Sequence, residues 1–198
     1  MPEPKPERPD LDDYLKSDDI IDFDDPSIEE AVEQLTEGLK DSISKAQAIY
    51  EFVRDQIFHS FQINATSITL KASEVLEKGH GICYAQAHLL AALMRGAGIP
   101  AGLCYRIDQD EGRPVIHGYN AIHIDGIDKW IFLDASIKPD ESPTPFNIDW
   151  DTLELTANKG FGEHDDPTVY INPSKYANKA FKASRNIDEL RCNLPDKI

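Results

Sequence analysis

The chain has 198 residues, 40% of them hydrophobic, which is enough for one folded domain with a real core and room for extensions. Its 36 acidic and 20 basic residues give a formal net charge of −16. A surface of that sign repels phosphate backbones and anionic lipid headgroups, so we expect neither a nucleic-acid nor a membrane partner. Neutral or cationic substrates, peptides and amines among them, are compatible with this charge.

The three cysteines, Cys83, Cys104 and Cys192, are odd in number and widely spaced, which predicts free thiols rather than a disulfide framework. The N-terminal stretch MPEPKPERPD lacks the apolar segment of a signal peptide. No apolar run approaches the ~20 residues that a membrane-spanning helix needs. Together these features predict a protein of the reducing cytoplasm.

The chain divides by composition into an arm and a domain. Residues 1–26 are rich in proline and aspartate and predict an acidic N-terminal arm whose carboxylates are solvated. A single domain is predicted over residues 27–198. Its first helix is predicted to begin at Ser27, which has the spacing of a capping box with Glu30.

Two further helices precede Cys83. Apolar residues at helical spacing predict a helix over residues 43–58. A short helix is predicted to begin at Ser73 and to stop at Gly79.

The segment that starts at Cys83 predicts a helix that is apolar nearly all round and therefore central and buried. Gly96 and Gly98 end this helix, and Pro100 prevents its continuation. The period then changes to two, which predicts antiparallel strands over residues 101–107, 117–124 and 129–134. From residue 139 on, the regular pattern is weak, apart from a helix predicted over residues 174–184.

Cys83 combines a reactive group with a special position. A thiol at the first residue of a helix lies beside unpaired backbone N–H groups and the positive end of the helix dipole, and both favour the thiolate. The thiolate is the attacking form of cysteine. The competing interpretation is a structural cysteine, because free cysteine is among the most buried residue types.

A nucleophilic cysteine needs a base, and His117 and His123 face the same side of one predicted strand. The segment DGID, with Gly126 second, predicts a type II′ turn that pairs His123 with Trp130. In that register Asp134 lies diagonal to His117 but roughly 13 Å from the position of His123. Geometry therefore predicts a nucleophile, base and orienting carboxylate in Cys83, His117 and Asp134.

These segments carry a family resemblance. The stretch ASEVLEKGHGICYAQAHLLAALMRGAGIPAG, followed by HGYNAIHIDGIDKWIFLD, resembles the catalytic core of the transglutaminase-like superfamily over roughly residues 40–138. That family has a G-x-C motif opening a helix that ends in R-x-x-G-I-P, then an H-A-W-type strand and a W-x-x-L-D strand. The matching positions are Gly81, Cys83, Arg95, Gly98, Ile99, Pro100, His117, Trp130, Leu133 and Asp134.

The resemblance implies an α+β, papain-like fold in which a central helix carrying the cysteine packs on an antiparallel sheet, with flanking helices. It also implies a Cys83–His117–Asp134 triad, acyl transfer on a peptide or carboxamide through a thioester, and no metal or cofactor. Because the core is short and has no evident calcium loop, we expect hydrolysis rather than cross-linking. A peptide or protein substrate is implied, with an amine as a conceivable acceptor.

The chain departs from the family where Gly118 and Tyr119 follow His117, since Ala and Trp are common there. The second oxyanion donor, beside the backbone N–H of Cys83, has two candidates, Gln62 and Tyr84. Tyr119 and Trp130 are candidates for an acyl-donor groove, although aromatic residues on a sheet are more often core. The C-terminal extension, residues 139–198, has no family motif.

Two other functions compete with the enzyme. The same fold serves as a non-catalytic protein-binding module in some family members. A metal site could combine His80, Cys83, His117 and His123, although their spacing matches no recognised zinc motif. The sequence leaves the substrate, the acyl acceptor and the oligomeric state open.

Overall fold

The computed structural model describes residues 3–110, 113–136, 148–149, 154–155 and 166–195. The mixed α+β architecture predicted from the sequence is confirmed. The helices of the described part are a 3₁₀ helix, Leu11–Leu15, and α1 to α6: Pro26–Thr36, Ser42–Gln56, Ala72–Lys78, Cys83–Gly96, Lys175–Ala183 and Ile187–Asn193. The strands are β1 to β9: Lys5–Pro6, Phe58–His59, His80–Gly81, Ala101–Asp110, Arg113–Ile124, Lys129–Leu133, Ile148–Asp149, Glu154–Leu155 and Thr168–Val169.

Helix α4 is the centre of the fold. It begins at Cys83, as predicted, and every residue from Tyr84 to Arg95 is buried. Helices α1, α2 and α3 and strands β4 and β5 all pack against it. The helix is apolar on every side because it has packed neighbours in all directions.

The starts of two outer helices differ from prediction. Asp25, not Ser27, is the N-cap of α1: its Oδ1 accepts the Ser27 N–H at 2.9 Å, so the predicted capping box is wrong. Ser73 does not cap α3 either, because it lies inside the helix. Its N–H and Oγ instead donate to the Asp22 carboxylate, at 3.1 and 2.7 Å. Gly79 ends α3 in the left-handed region, with φ of 67°, as predicted.

Strands β4, β5 and β6 form the predicted antiparallel sheet, in that order. His123 pairs with Trp130, which is the predicted register. The predicted type II′ turn is wrong, because Gly126 does not have a positive φ. The connection is a four-residue turn over 125–128 in which Asp128 has φ of 48°. Both turns preserve the same pairing, so the register survives the wrong turn type.

The N-terminal arm is packed against the domain. Tyr14 and Ile21 are fully buried. Strand β1 pairs in parallel with β9, and the Tyr14 hydroxyl donates to the Val169 carbonyl at 3.1 Å. The arm is therefore not a free tail: the far end of the chain covers Tyr14, and Ile21 packs in the main core.

Arg95, at the end of α4, joins the arm to the rest of the fold. Its guanidinium donates to the carbonyls of Ala101, Lys16 and Ile171, at 2.9, 2.7 and 2.7 Å. Only 3% of the residue is exposed. One buried cation thus ties the arm, strand β4 and the segment after β9 together.

Helix α5 confirms the predicted C-terminal helix, whereas α6 was not predicted. The predicted irregular extension was residues 139–198, and its boundary at residue 138 and most of residues 139–165 lie outside the described residues. Within the described part, no helix has the length and apolar character needed to cross a membrane.

Candidate active site

Cys83 is the first residue of α4, and its side chain is half-buried. Burial by itself raises the pKa of a thiol. Against it, the charge of His117 and hydrogen bonds from His117 and His59 lower the pKa of Cys83 from 9.0 to about 6. The buried Cys104 shows the opposite behaviour, since burial raises the pKa of that thiol well above 9.0. The structure therefore gives Cys83 the thiolate character that Cys104 lacks.

His117 and Asp134 are in direct contact, as the register predicted. Nε2 of His117 lies 2.7 Å from Oδ2 of Asp134, which leaves Nδ1 as the ring nitrogen available to Cys83. Ser136 holds the other carboxylate oxygen, with its N–H at 3.0 Å and its Oγ at 2.6 Å from Oδ1. The Asp134 side chain is only 7% exposed, so these partners replace water.

The charges of these groups support one another. Burial lowers the pKa of His117, but the Asp134 and Cys83 charges raise it to about 10. Burial raises the pKa of Asp134, but His117, Arg106 and Ser136 lower it to about 2. At neutral pH the arrangement is therefore thiolate, imidazolium and carboxylate. An imidazolium in this position can donate a proton to a leaving group after the thiolate attacks a carbonyl.

Gly118 explains how β5 comes so close to α4. A Cβ on this residue would lie 3.2 Å from Cδ1 and 3.3 Å from Cα of Tyr84, which follows Cys83. The missing side chain lets the strand approach the first turn of the helix, and this brings His117 to Cys83. The glycine that departs from the family pattern is thus part of the site's packing.

Tyr84 is not placed as an oxyanion donor, so that prediction is wrong. The residue is 1% exposed, and its ring packs near Tyr105 and Phe181. Its hydroxyl is buried without a hydrogen-bond partner in the described part of the chain. Tyr84 is a core residue.

Tyr119 and Trp130 do not line a groove beside Cys83. Tyr119 is 1% exposed, and its ring stacks on that of His117, with centroids 6.3 Å apart. Trp130 packs against Tyr14 and His123. It pairs with His123, six residues along β5 from His117, or roughly 20 Å at the usual rise per residue. Tyr119 thus packs against the His117 ring, and Trp130 covers the sheet under the arm.

The other predicted residues are dispersed. Gln62 is exposed in the turn after β2. Nε2 of His123 lies 3.3 Å from an oxygen of Asp128. His80 contacts Ser60 and Ser67, so neither His80 nor His123 joins Cys83 and His117 in the alternative metal site. Among the described residues no group of three or more His, Cys, Asp or Glu side chains is arranged so that it could hold a metal ion.

His59 is a further residue at this site, and the sequence did not identify it. It lies in β2, next to β3, and its side chain contributes to the lowered pKa of Cys83. In the sequence it is one of six histidines, 24 positions before Cys83. The signal that could have identified it is the pairing of IFHS with GHG, and two-residue parallel strands are too short to predict.

The sequence pattern of the transglutaminase-like superfamily matches residues 29–135. The match spans more than half of the chain. The protein belongs to the transglutaminase-like superfamily. A comparison with curated proteins finds no match.

Solved structures resemble this superfamily member over part of their length. A candidate cysteine protease from Cytophaga hutchinsonii aligns with a TM-score of 0.55 and 22% identity, over 65% of this chain and 43% of its own. A candidate protease from Parabacteroides distasonis aligns with a TM-score of 0.43 and 18% identity, over 64% of this chain and 25% of its own. A protein described as a TGase gives 0.45 and 14%, over 82% and 43%. This chain thus spans less than half of each of those proteins, and the first of them shows a shared fold.

Proposed function

We propose that the protein is a cysteine-nucleophile acyl-transfer enzyme in which Cys83 attacks a peptide or carboxamide carbonyl, His117 acts as acid and base, and Asp134 orients His117. One observation carries the proposal. Nε2 of His117 is bound to Asp134 at 2.7 Å, while the same ring contacts Cys83, the first residue of a buried helix.

The reaction proceeds through a thioester. The Cys83 thiolate forms a bond to the carbonyl carbon, and the carbonyl electron pair moves to oxygen. As the tetrahedral intermediate collapses, the C–N bond breaks and His117 gives its proton to the leaving amine. Water or a second amine then gives up a proton to His117 and attacks the thioester, which releases the acyl group and restores the thiolate.

We expect water to be the acceptor, with a peptide or protein as substrate and no metal or cofactor. The net charge of −16 favours neutral or cationic substrates over nucleic acid and anionic membranes. A reducing cytoplasm suits an enzyme whose three cysteines are all free thiols.

The proposal is tested with p-nitrophenyl acetate, whose activated ester acylates a nucleophilic thiol. We expect a burst of nitrophenolate equal to the enzyme concentration and an acetyl group on Cys83 by peptide mass spectrometry. Cys83→Ser should abolish the burst, whereas Cys192→Ser, at an exposed cysteine, should retain it. A wild-type protein without a burst would favour the non-catalytic binding module.

The acceptor is tested separately with casein and a fluorescent primary amine. A hydrolase should release ammonia or peptide fragments and should attach little of the fluorescent amine to casein. Incorporation of the amine at a rate equal to or above hydrolysis would show a cross-linking enzyme instead.

A further inference from the structure

We propose that His59 is the second oxyanion donor of this site: its imidazole N–H, together with the backbone N–H of Cys83, binds the oxygen of the tetrahedral intermediate. The inference rests on the proposed acyl-transfer function and assigns a catalytic residue to it. It replaces Tyr84, whose hydroxyl is buried in the core.

The backbone holds His59 beside the start of α4. The Phe58 N–H donates to the Gly79 carbonyl at 2.9 Å, and the Ser60 N–H donates to the Gly81 carbonyl at 3.1 Å. These bonds flank His59 and align it with Gly81, two residues before Cys83. The side chain of His59 lies close enough to the Cys83 thiol to lower its pKa.

Side chains on both sides of β2 fix its position. Before the strand, Nε2 of Gln86, in the first turn of α4, donates to the Ile57 carbonyl at 2.9 Å. After the strand, Ser60 Oγ lies 3.0 Å from Nδ1 of His80, and both residues are buried. A donor held in this way needs little reorganisation when charge develops near it, which is what oxyanion stabilisation requires.

The ring of His59 is braced as well. The centroids of the His59 and Phe61 rings are 5.3 Å apart. On Phe61 in turn, the Arg191 guanidinium lies 5.4 Å from the ring centroid. Among the described residues, no carboxylate is hydrogen-bonded to His59, whereas Asp134 is bonded to His117. In the part of the chain that the structure describes, His59 thus has no counterpart of Asp134, and this environment favours donation over base catalysis.

The reaction moves negative charge from sulfur to oxygen. In the free site, His59 helps to stabilise the negative charge on the Cys83 sulfur. When the S–C bond forms, the carbonyl electron pair becomes an oxyanion on the carbon that the sulfur has just bound. The N–H of His59 can then turn to that oxygen without transferring its proton. A neutral imidazole keeps one N–H and an imidazolium has two, so a donor is present in either form.

The experiment compares two reactions of the same thiolate. Alkylation by iodoacetamide creates no oxyanion, whereas acylation by p-nitrophenyl acetate does. His59→Phe keeps a ring against Phe61 but has no N–H, and His59→Gln restores an N–H on a side chain of similar reach. Gln62→Ala is the matched control, because Gln62 was the other candidate donor and is exposed.

We expect His59→Phe to lower the ratio of acylation to alkylation about 100-fold, as for loss of one oxyanion donor. His59→Gln should recover at least a tenth of the ratio, and Gln62→Ala should leave it within about twofold of the wild type. Thermal unfolding checks each variant, and His59→Leu is a second donor-free variant should His59→Phe not fold.

Other results would overturn the assignment. Equal losses of acylation and alkylation in His59→Phe would make His59 a stabiliser of the thiolate only. A fall in the ratio in Gln62→Ala with none in His59→Phe would assign the donor to Gln62. Absence of Cys83 acylation in the wild type would contradict the acyl-transfer function itself, so the two failures are distinguishable.

Discussion

Nη2 of Arg106 lies 3.5 Å from Oδ2 of Asp134, the same oxygen that His117 binds. The Arg106 side chain is 8% exposed and is also paired with Asp108. The guanidinium helps to keep the Asp134 carboxylate ionised in a buried setting, and the carboxylate in turn keeps His117 charged. The protonation state of Cys83 therefore depends on a chain of charges that begins at Arg106 and runs through Asp134 and His117.

The first prediction concerns the pH dependence of Cys83. The pKa of its thiol is depressed to about 6, so alkylation should rise through pH 6 rather than pH 9. At pH 6 it should react about 20-fold faster than free cysteine, after allowing for the lower nucleophilicity of a more acidic thiol. Iodoacetamide labelling with peptide mapping measures this, with the buried Cys104 unlabelled in the native protein.

The rate of acylation should also fall at high pH. The pKa of His117 is raised to about 10, so its proton is available to the leaving group below that pH and is lost above it. The rate of acylation of Cys83 by an amide should therefore rise near pH 6 and fall near pH 10, which gives a bell-shaped pH profile. An alkylation profile that rises only near pH 9 would contradict the thiolate assignment.

Asp134→Asn should shift the rise of the Cys83 alkylation rate to higher pH. The substitution keeps the shape of the side chain but removes the charge that raises the pKa of His117. With less imidazolium, the pKa of Cys83 rises from about 6 toward 9. The midpoint of the labelling rate against pH measures the shift, and an unchanged midpoint would show that Asp134 does not act through His117.

The two histidines of β5 should differ sharply. His117→Ala removes the ion-pair partner of Cys83 and should lower labelling at pH 6 by at least about tenfold. His123→Ala should leave labelling within about twofold, because His123 lies near Asp125 and Asp128 in the turn. The reverse pattern would contradict the assignment of His117 as the partner of Cys83.

Much of this arrangement followed from the sequence. The period of two over β5 and β6, with a short connection between them, was enough to place Asp134 against His117. The register did not depend on the exact turn, because a two-residue and a four-residue turn gave the same pairs. Apolar residues on every side of α4 likewise predicted its central position.

The rest depended on contacts between distant segments. Tyr14 is buried because β9 and Trp130 lie against it, and nothing within residues 1–26 indicates those partners. His59 reaches the site through a pair of two-residue strands. A local pattern cannot distinguish a solvated acidic arm from one that is held by the far end of the chain.

Gly118→Ala should disturb the site more than an ordinary glycine substitution. The new Cβ would lie 3.3 Å from Cα of Tyr84, a backbone atom that cannot rotate away. We expect a loss of about 1–3 kcal/mol in the free energy of unfolding and slower labelling of Cys83. Gly126→Ala is the matched control, since a Cβ there meets nothing within 4 Å. Urea unfolding compares the two, and equal stabilities would contradict the close packing of β5 on α4.

Arg95→Lys should loosen the arm. A lysine cannot make all three guanidinium bonds to Ala101, Lys16 and Ile171, so buried carbonyls lose their donor. We expect a loss of about 3 kcal/mol in the free energy of unfolding and faster hydrogen exchange around Lys16. Arg185→Lys, at an exposed ion pair with Glu189, should leave the free energy of unfolding nearly unchanged. Similar effects of the two substitutions would show that Arg95 does not hold the arm.

The hydrogen bond from Tyr14 to Val169 joins residues 155 positions apart, and β1 pairs with β9 over a similar separation. The arm leaves the ribosome long before its partner strand, because the two are so far apart in the sequence. While the residues between them are synthesised, the arm has neither β9 nor the segment after it to pair with, and the sheet face that Tyr14 covers stays exposed to water. Its docking is necessarily a late step of folding, because closing so long a loop has to follow formation of the sheet and α4.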